Sequence, residues 1–296
     1  MGHRLDCHQH FWSLERVSQG DYLWMPDDGL LREDYDRDRL EPELSKAGVG
    51  GTILIQAAPS LEETRFLLGL AAETEFVLGV TGWVPLDRAD ALETLGELAK
   101  SEYLKAVRPM IHDLPDPLWI TRPQVRRNLH GLADLGQRLE VLTYSEHLPA
   151  VYEVLAAIPE LPAVINHISK PVYLWGDDGD WRNWMARHAQ RPNTYCKLSG
   201  MFTEIGPQWT DEGLRPYVDY VFEWFGTDRV IFGSDWPVSR QIMEYPQVVK
   251  ATSSLVSSLS PDEAEAFWRT NAEQFYGVRI ELGDAGANPT TAGGNA

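Results

Sequence analysis

Basic residues, cysteine and long apolar runs are all scarce in this sequence, and each shortage removes a class of protein. Lys and Arg number 26 against 44 Asp and Glu, a formal net charge of −18. That balance argues against a nucleic-acid partner and against an anionic membrane surface, since both reward a basic patch. The two cysteines, Cys7 and Cys196, are too few for a disulfide scaffold and lack the CxxC pairing of a zinc knuckle. No segment approaches the roughly 20 apolar residues that cross a bilayer, and the start, MGHRLDCHQH, has no apolar signal core. A soluble cytoplasmic protein is the expectation. A GxSxG motif is also missing, which removes the commonest serine-nucleophile arrangement.

What is present is the composition of a folded protein: 43% hydrophobic and 24% charged residues over 296 positions, enough to bury a sizeable core. Runs of strand composition recur at wide intervals. They read RLDCHQHF (4–11), GTILIQAA (51–58), FVLGVTGWV (76–84), YLKAVRPMI (103–111), LEVLTYS (139–145), PAVINHI (162–168), NTYCKLSG (193–200) and VIFGSDWP (230–237). The middle ones are continuously apolar, as parallel strands covered on both faces are. Helical spacing falls between them over 61–74, 87–100, 124–136, 148–158, 180–190, 211–225 and 245–257, and Ser260-Pro261 caps a last helix ending near Gly277. Eight strands alternating with helices predict an α/β protein, a (β/α)8 barrel spanning 1–278, with an open doubly wound sheet as the alternative. Residues 279–296 are assigned to a tail, whose run from Leu282 to Ala296 is small, polar and Gly-rich and is read as disordered. Trp12 to Tyr35, rich in Trp, Pro, Asp and Gly, is a long connection of the kind that covers a site.

His8 and His10 lie two apart on the first strand and should project together, a spacing that suits one metal ion. Alone, an HxH pair is weak evidence. A barrel, however, would bring the end of strand six, with His167, and the end of strand eight, with Asp235, to the same face, and strand eight closes against strand one. A carboxylate there can ligate a metal or act as general base towards water; its ordinary alternative is a helix cap or ion pair. Arg108, late on strand four, suits a carboxylate or carbonyl oxygen, with a structural ion pair as the competing use. Gln56, Trp83, Tyr144 and Lys197 hold comparable late positions and are pocket candidates. Eleven tryptophans are many; those in loops or at strand ends, among them Trp24, Trp175 and Trp236, offer flat faces suited to sugar rings. Cys7 should point away from the histidine side, towards the helices, some 9 to 10 Å from Cys196 and out of disulfide range.

LDCHQHFW, YLWMP, VRPMIHD, INHISKP, CKLSG and FGSDWPV occur in the order found in the amidohydrolase-2 branch of the amidohydrolase superfamily. The sequence resembles that branch from Arg4 to Tyr276, and within it the sugar lactonases of the L-fuconolactonase and L-rhamnonolactonase type. The resemblance implies a distorted (β/α)8 barrel with its site at the strand carboxyl ends, His8 and His10 as the first-strand pair, His167 as the later histidine, Asp235 as the residue that activates water, and Arg108 as a substrate-holding arginine. Many relatives follow that arginine with histidine; this chain has Pro109 and places His112 three residues on, so His112 joins the substrate-binding candidates. A two-metal centre is not expected, because strand four offers Arg108 and strand five Tyr144, with His147 beyond it. One divalent ion, zinc by the donor types, is expected on His8, His10 and Asp235. The implied reaction is hydrolysis of a sugar lactone, a small-molecule substrate. The alternatives are a metal-dependent decarboxylase of the same superfamily and a non-catalytic sugar-acid binding protein. The oligomeric state stays open between monomer and homo-oligomer.

Overall fold

The computed structural model describes residues 3–172 and 178–281. Trp175 and the tail from Leu282 to Ala296 lie outside the described residues. Eight strands form one parallel sheet in chain order: β1 (Arg4–Gln9), β2 (Val49–Ile55), β3 (Val77–Gly82), β4 (Leu104–Val107), β5 (Arg138–Val141), β6 (Ala163–Ile165), β7 (Thr194–Leu198) and β8 (Val230–Phe232). A helix follows each: α1 (Arg37–Ala47), α2 (Leu61–Ala72), α3 (Ala91–Leu98), α4 (Pro123–Asp134), α5 (Leu148–Ala157), α6 (Gly179–Ala189), α7 (Asp211–Phe225) and α8 (Tyr245–Leu255). The expected (β/α)8 barrel is therefore the fold. Among the described residues no helix is long and apolar enough to cross a membrane.

One of these eight helices escapes the pattern reading. α1 buries Leu40, Leu44 and Ala47, a regular helical stripe, but Pro42 stands inside it, and a proline in a polar stretch reads as a break. The Asp36 side chain caps its start by accepting from Arg39 N, and Gly48 ends it at φ 66. The last predicted helix is three pieces, Pro261–Glu265, a π turn over Ala266–Thr270 and Asn271–Tyr276, opened by a reciprocal Ser260–Glu263 cap.

Strand alternation sorts the core into two layers. Leu54, Val107, Ile165, Cys196 and Phe232 face the helices in the larger cluster. Leu5, Cys7, Ile53, Ile55, Ala106, Val164, Tyr195 and Ile231 fill the barrel interior, closed off by Phe275, Tyr276 and Ile280 of the C-terminal segment. Cys7 thus faces inward, against the expectation. The register between β1 and β2 shifts between Asp6 and Gln9, so strict alternation breaks just where Cys7 and His8 follow one another. Both thiols are buried and free.

Closure between β8 and β1 is made beyond the end of β8. Asp235 N donates to His8 O and His10 N to Trp236 O, each at 2.8 Å, continuing the parallel pairing through the turn after β8. Asp6 fastens this seam: its Oδ1 accepts from His8 N (3.1 Å) and Ser234 N (2.8 Å), and its Oδ2 from Tyr245 Oη of α8 (3.0 Å). Burial pushes the Asp6 carboxyl up to about 6, although these donors pull it the other way. The long segment after β1 folds back on itself, with Trp12 and Tyr35 exchanging backbone hydrogen bonds of 2.9 and 3.0 Å. Replacing Asp6 by Ala strands two buried N–H groups and should cost about 3 kcal/mol or more in urea denaturation, against about 1 kcal/mol for Tyr245→Phe; equal, small losses would show that the seam does not depend on Asp6.

Candidate active site

The strands stop earlier than their composition suggests, and the chemically useful side chains stand on the turns beyond them. His167, Ile168, Ser169 and Lys170 form a run with φ between 46° and 56°, and Asp235 has φ 60°. Left-handed backbone is unfavourable for non-glycine residues, by about 1 to 3 kcal/mol each, and persists where surroundings hold it. Here Lys170 N donates to His167 O (2.9 Å) and Trp181 Nε1 to Ile168 O (2.7 Å). Two glycines make room for the rings. A Cβ on Gly200 would lie 2.4 Å from His167 Nδ1, and one on Gly233 would lie 2.6 Å from His8 Cβ.

Asp235 Oδ1 is the hub. It lies 3.7 Å from His8 Nε2, 3.6 Å from His10 Nε2 and 3.8 Å from His167 Nε2. Among the described residues, His8, His167 and Asp235 offer ligand atoms that all fall within 4.8 Å of one another. The expected set had His10 in place of His167. His10 Nδ1 is tied to the Ile55 carbonyl at 2.8 Å, which draws the ring towards β2. Because a carbonyl only accepts, Nδ1 carries the hydrogen and the Nε2 lone pair faces the Asp235 carboxylate. Two acceptors opposed across 3.6 Å call for a cation or a water proton between them. The donors present therefore fit a divalent cation.

Burial, and then the Lys197 ammonium, pushes the His8 imidazole well down from its ordinary range. Burial likewise lowers His10, and takes His167 to about 3 despite the pull of Asp235. All three rings are thus neutral near pH 7, the form that ligates metal. Burial would raise the Asp235 carboxyl, but the positive charge of His167 and His10, when those rings hold a proton, together with that of the Lys170 ammonium, outweighs it and keeps the carboxyl below its usual value.

Behind the hub, Arg108 is 2% exposed, with Nη1 3.3 Å from His8 Nε2 and Nη2 on the Gln56 carbonyl. Gln56 Nε2 in turn donates to Arg108 O at 2.7 Å, so Gln56 braces the arginine. Below, Lys197 Nζ donates to Glu140 Oε2 (2.7 Å) and Cys7 O (2.8 Å) and lies 3.4 Å from His8 Nδ1. Thr81 and Tyr276 hydroxyls donate to the other Glu140 oxygen, each at 2.6 Å. Glu140 and Ser199, whose hydroxyl meets His167 Nδ1 at 2.9 Å, went unflagged in the sequence. A carboxylate inside the apolar run LEVL was the available signal for the first.

The other candidates divide. His112 and Tyr144 meet edge to face at 5.5 Å, with Lys170 Nζ 5.1 Å from the Tyr144 ring centre, and Lys170 pairs with Glu204 at 2.8 Å. His147 instead bonds the backbone of Tyr144. Trp24 is half-exposed and donates to Ala57 O at 2.7 Å. Trp83 borders a separate surface hollow with Pro59, Leu61 and Arg88. Trp236 is 2% exposed and packed between Phe11 and Tyr35, so the structure gives it a core position instead of a pocket wall.

Residues 5–278 match the amidohydrolase family. The chain is 36% identical over 290 residues to an L-fucono-1,5-lactonase of Burkholderia ambifaria, covering 96% of this chain and 99% of that protein. It is 31% identical over 291 residues to an L-fucono-1,5-lactonase of Burkholderia multivorans, covering 93% and 96%. A crystal structure of an amidohydrolase from Burkholderia multivorans with bound zinc has a TM-score of 0.87 to this fold at 29% identity, covering 93% of this chain and 99% of that one.

The loop after β2 that carries Gln56 is held by Glu63, which accepts from Ala57 N (2.8 Å) and Ala58 N (2.9 Å). Burial raises the Glu63 carboxyl to about 8. A folded pKa above the unfolded one means that the protonated form is favoured by folding. Its stability contribution is complete below about 4.5 and disappears as pH rises through about 8. His8, His10, His112, His167 and His188 are all shifted down and give the opposite slope. The readout is therefore a difference: denaturation midpoints of the parent minus those of Glu63→Gln should fall between pH 5 and 8, and a constant difference would contradict the assignment.

Proposed function

The chain belongs to the amidohydrolase family, and from that premise we propose that it hydrolyses a sugar lactone to the aldonic acid, with Asp235 as the base that activates water. The observation that carries this is a buried carboxylate with three imidazole nitrogens between 3.6 and 3.8 Å from one of its oxygens. The two L-fucono-1,5-lactonase relatives, each above 30% identity, support a cyclic ester as substrate. They favour lactone opening over decarboxylation and over ligand binding without turnover. L-Fucono-1,5-lactone is the first substrate to test.

In this reading Asp235 takes a proton from water, and the hydroxide adds to the lactone carbonyl carbon. Arg108, whose Nη1 faces the hub, meets the oxyanion that develops on the carbonyl oxygen. Collapse re-forms the carbonyl and breaks the bond to the ring oxygen, and the leaving alkoxide takes the proton that Asp235 accepted. Atoms balance as lactone plus water to hydroxy acid. His167, neutral and braced by Ser199, orients the substrate and is a poor proton reservoir, because its pKa is near 3. His112 and Tyr144, which meet edge to face, are assigned the polar wall for substrate hydroxyls, and half-exposed Trp24, in ring contact with Trp12, a further part of the substrate pocket. A divalent cation, zinc by the chemistry of the donors, would be held by His8, His167 and Asp235 with His10 alongside, and would polarise the carbonyl and acidify water.

A pH-indicator assay on aldono-1,4- and 1,5-lactones, with protein as purified, chelated and resupplied with Zn²⁺, tests the reading. Acid release above spontaneous opening is expected, and Asp235→Asn should lower kcat by about 10²-fold or more while leaving the fold intact. Near-parental turnover in Asp235→Asn would refute the role of Asp235. No turnover of any lactone in all three metal states would refute the lactonase, and CO₂ release from unsaturated or aromatic acids would then be measured.

A further inference from the structure

Asn166 is fully buried, and neither its Oδ1 nor its Nδ2 makes a hydrogen bond among the described residues. Among the described residues it is the one side chain with both polar atoms in that condition. A buried amide without partners destabilises a fold and calls for an explanation.

Its position supplies one. In the β6–β7 ladder Val164 pairs with Tyr195 and Ile165 with Cys196. Val164 and Tyr195 face the barrel interior, whereas Ile165 and Cys196 face the helices. Ile165 is extended (φ −84°, ψ 116°), so alternation carries one step further and turns Asn166 inward, beside Lys197 and immediately before His167. Lys197 itself reaches Glu140 and His8 at the floor of the site. The Arg108 Nε, also buried, has no partner either. Among the described residues, Asn166 therefore holds two unused N–H donors and one unused acceptor on a neutral amide, and Arg108 Nε adds a further unused donor.

A carboxylate could use only the donors, and an alkyl group none of these atoms. A hydroxyl both donates and accepts, which is what a primary amide offers in return. We propose that Asn166 binds a ring hydroxyl of the sugar lactone and so selects hydroxylated lactones over unsubstituted ones. This rests on the lactonase reading above.

The test pairs stability with binding. In Asn166→Leu an unpartnered polar group gives way to an apolar one of similar size, so the Tm should be equal to or above that of the parent. KM for the hydroxylated lactone should rise at least about tenfold, because the site's remaining polar atoms lose their match, with kcat within about threefold. δ-Valerolactone, which has no ring hydroxyl, is offered as a competitor of that turnover and should keep its inhibition constant within about threefold. Asn166→Asp retains an acceptor without the donors and should fall between parent and Asn166→Leu. A lowered Tm in Asn166→Leu would assign the amide to the scaffold and overturn the inference, as would an unchanged KM or an equal loss of both ligands. A parent inactive on every lactone is a different failure, visible before any variant is made, and would remove the lactonase reading and this inference together.

Discussion

The site depends on one constraint, the fastening of β1 to the turn that follows β8. His8 and Asp235 are 227 positions apart in the chain, yet the Asp235 amide donates to the His8 carbonyl at 2.8 Å. Once that backbone contact exists, the carboxylate has little choice but to stand among the first-strand histidines. Asp6 holds both sides of the contact through His8 N and Ser234 N. Gly233 lets the two backbones approach, since any side chain there would strike His8. The left-handed Asp235 is the cost of turning its carboxylate inward, and the ladder bonds on either side of it are what make that conformation sustainable.

From that geometry the electrostatics follow. The hub carries one anion, and two cations, Arg108 and Lys197, reach His8, one at each ring nitrogen. Both are committed, Lys197 to buried Glu140 and Arg108 to the loop braced by Gln56 and Glu63. A neutral histidine cluster is then the natural outcome, because burial and neighbouring positive charge both oppose protonation. The same arrangement leaves imidazole lone pairs directed at a carboxylate, which suits either a divalent cation or a water molecule about to lose a proton. The buried Lys197–Glu140 pair is weak evidence for stability in itself. Its value lies in supporting the site from below, tying β5, β7 and Tyr276 of the C-terminal segment to His8.

Much of this was legible in the residues, for physical reasons that also mark where legibility ends. Parallel strands covered on both faces are continuously apolar, so the middle strands stood out, and so did the convergence of His8, His10, His167 and Asp235. Their carboxyl ends were overrun because the site turns, NHISK and GSDWP, are as apolar or compact as strand residues while their backbone is left-handed. Residue types do not reveal φ. The same limit misplaced Cys7, where a shift of register replaced strict alternation. Its position at a strand end makes Trp236 a pocket candidate, but only the fold shows that Phe11 and Tyr35 enclose it. α1 was hidden by Pro42, although Leu40, Leu44 and Ala47 carried its signal. Asn166 could not be singled out from sequence, because what distinguishes it is the absence of partners in three dimensions.

The central claim is that Asp235 acts on water and does not itself attack the substrate. A single turnover of L-fucono-1,5-lactone in H₂¹⁸O, with enzyme in excess, tests it most directly. Direct attack by activated water places one ¹⁸O in the product carboxylate during that first turnover and none in the ring-derived hydroxyl. An unlabelled product carboxylate, with ¹⁸O retained in the protein at Asp235, would mean that the carboxylate had been acylated, and would contradict the account.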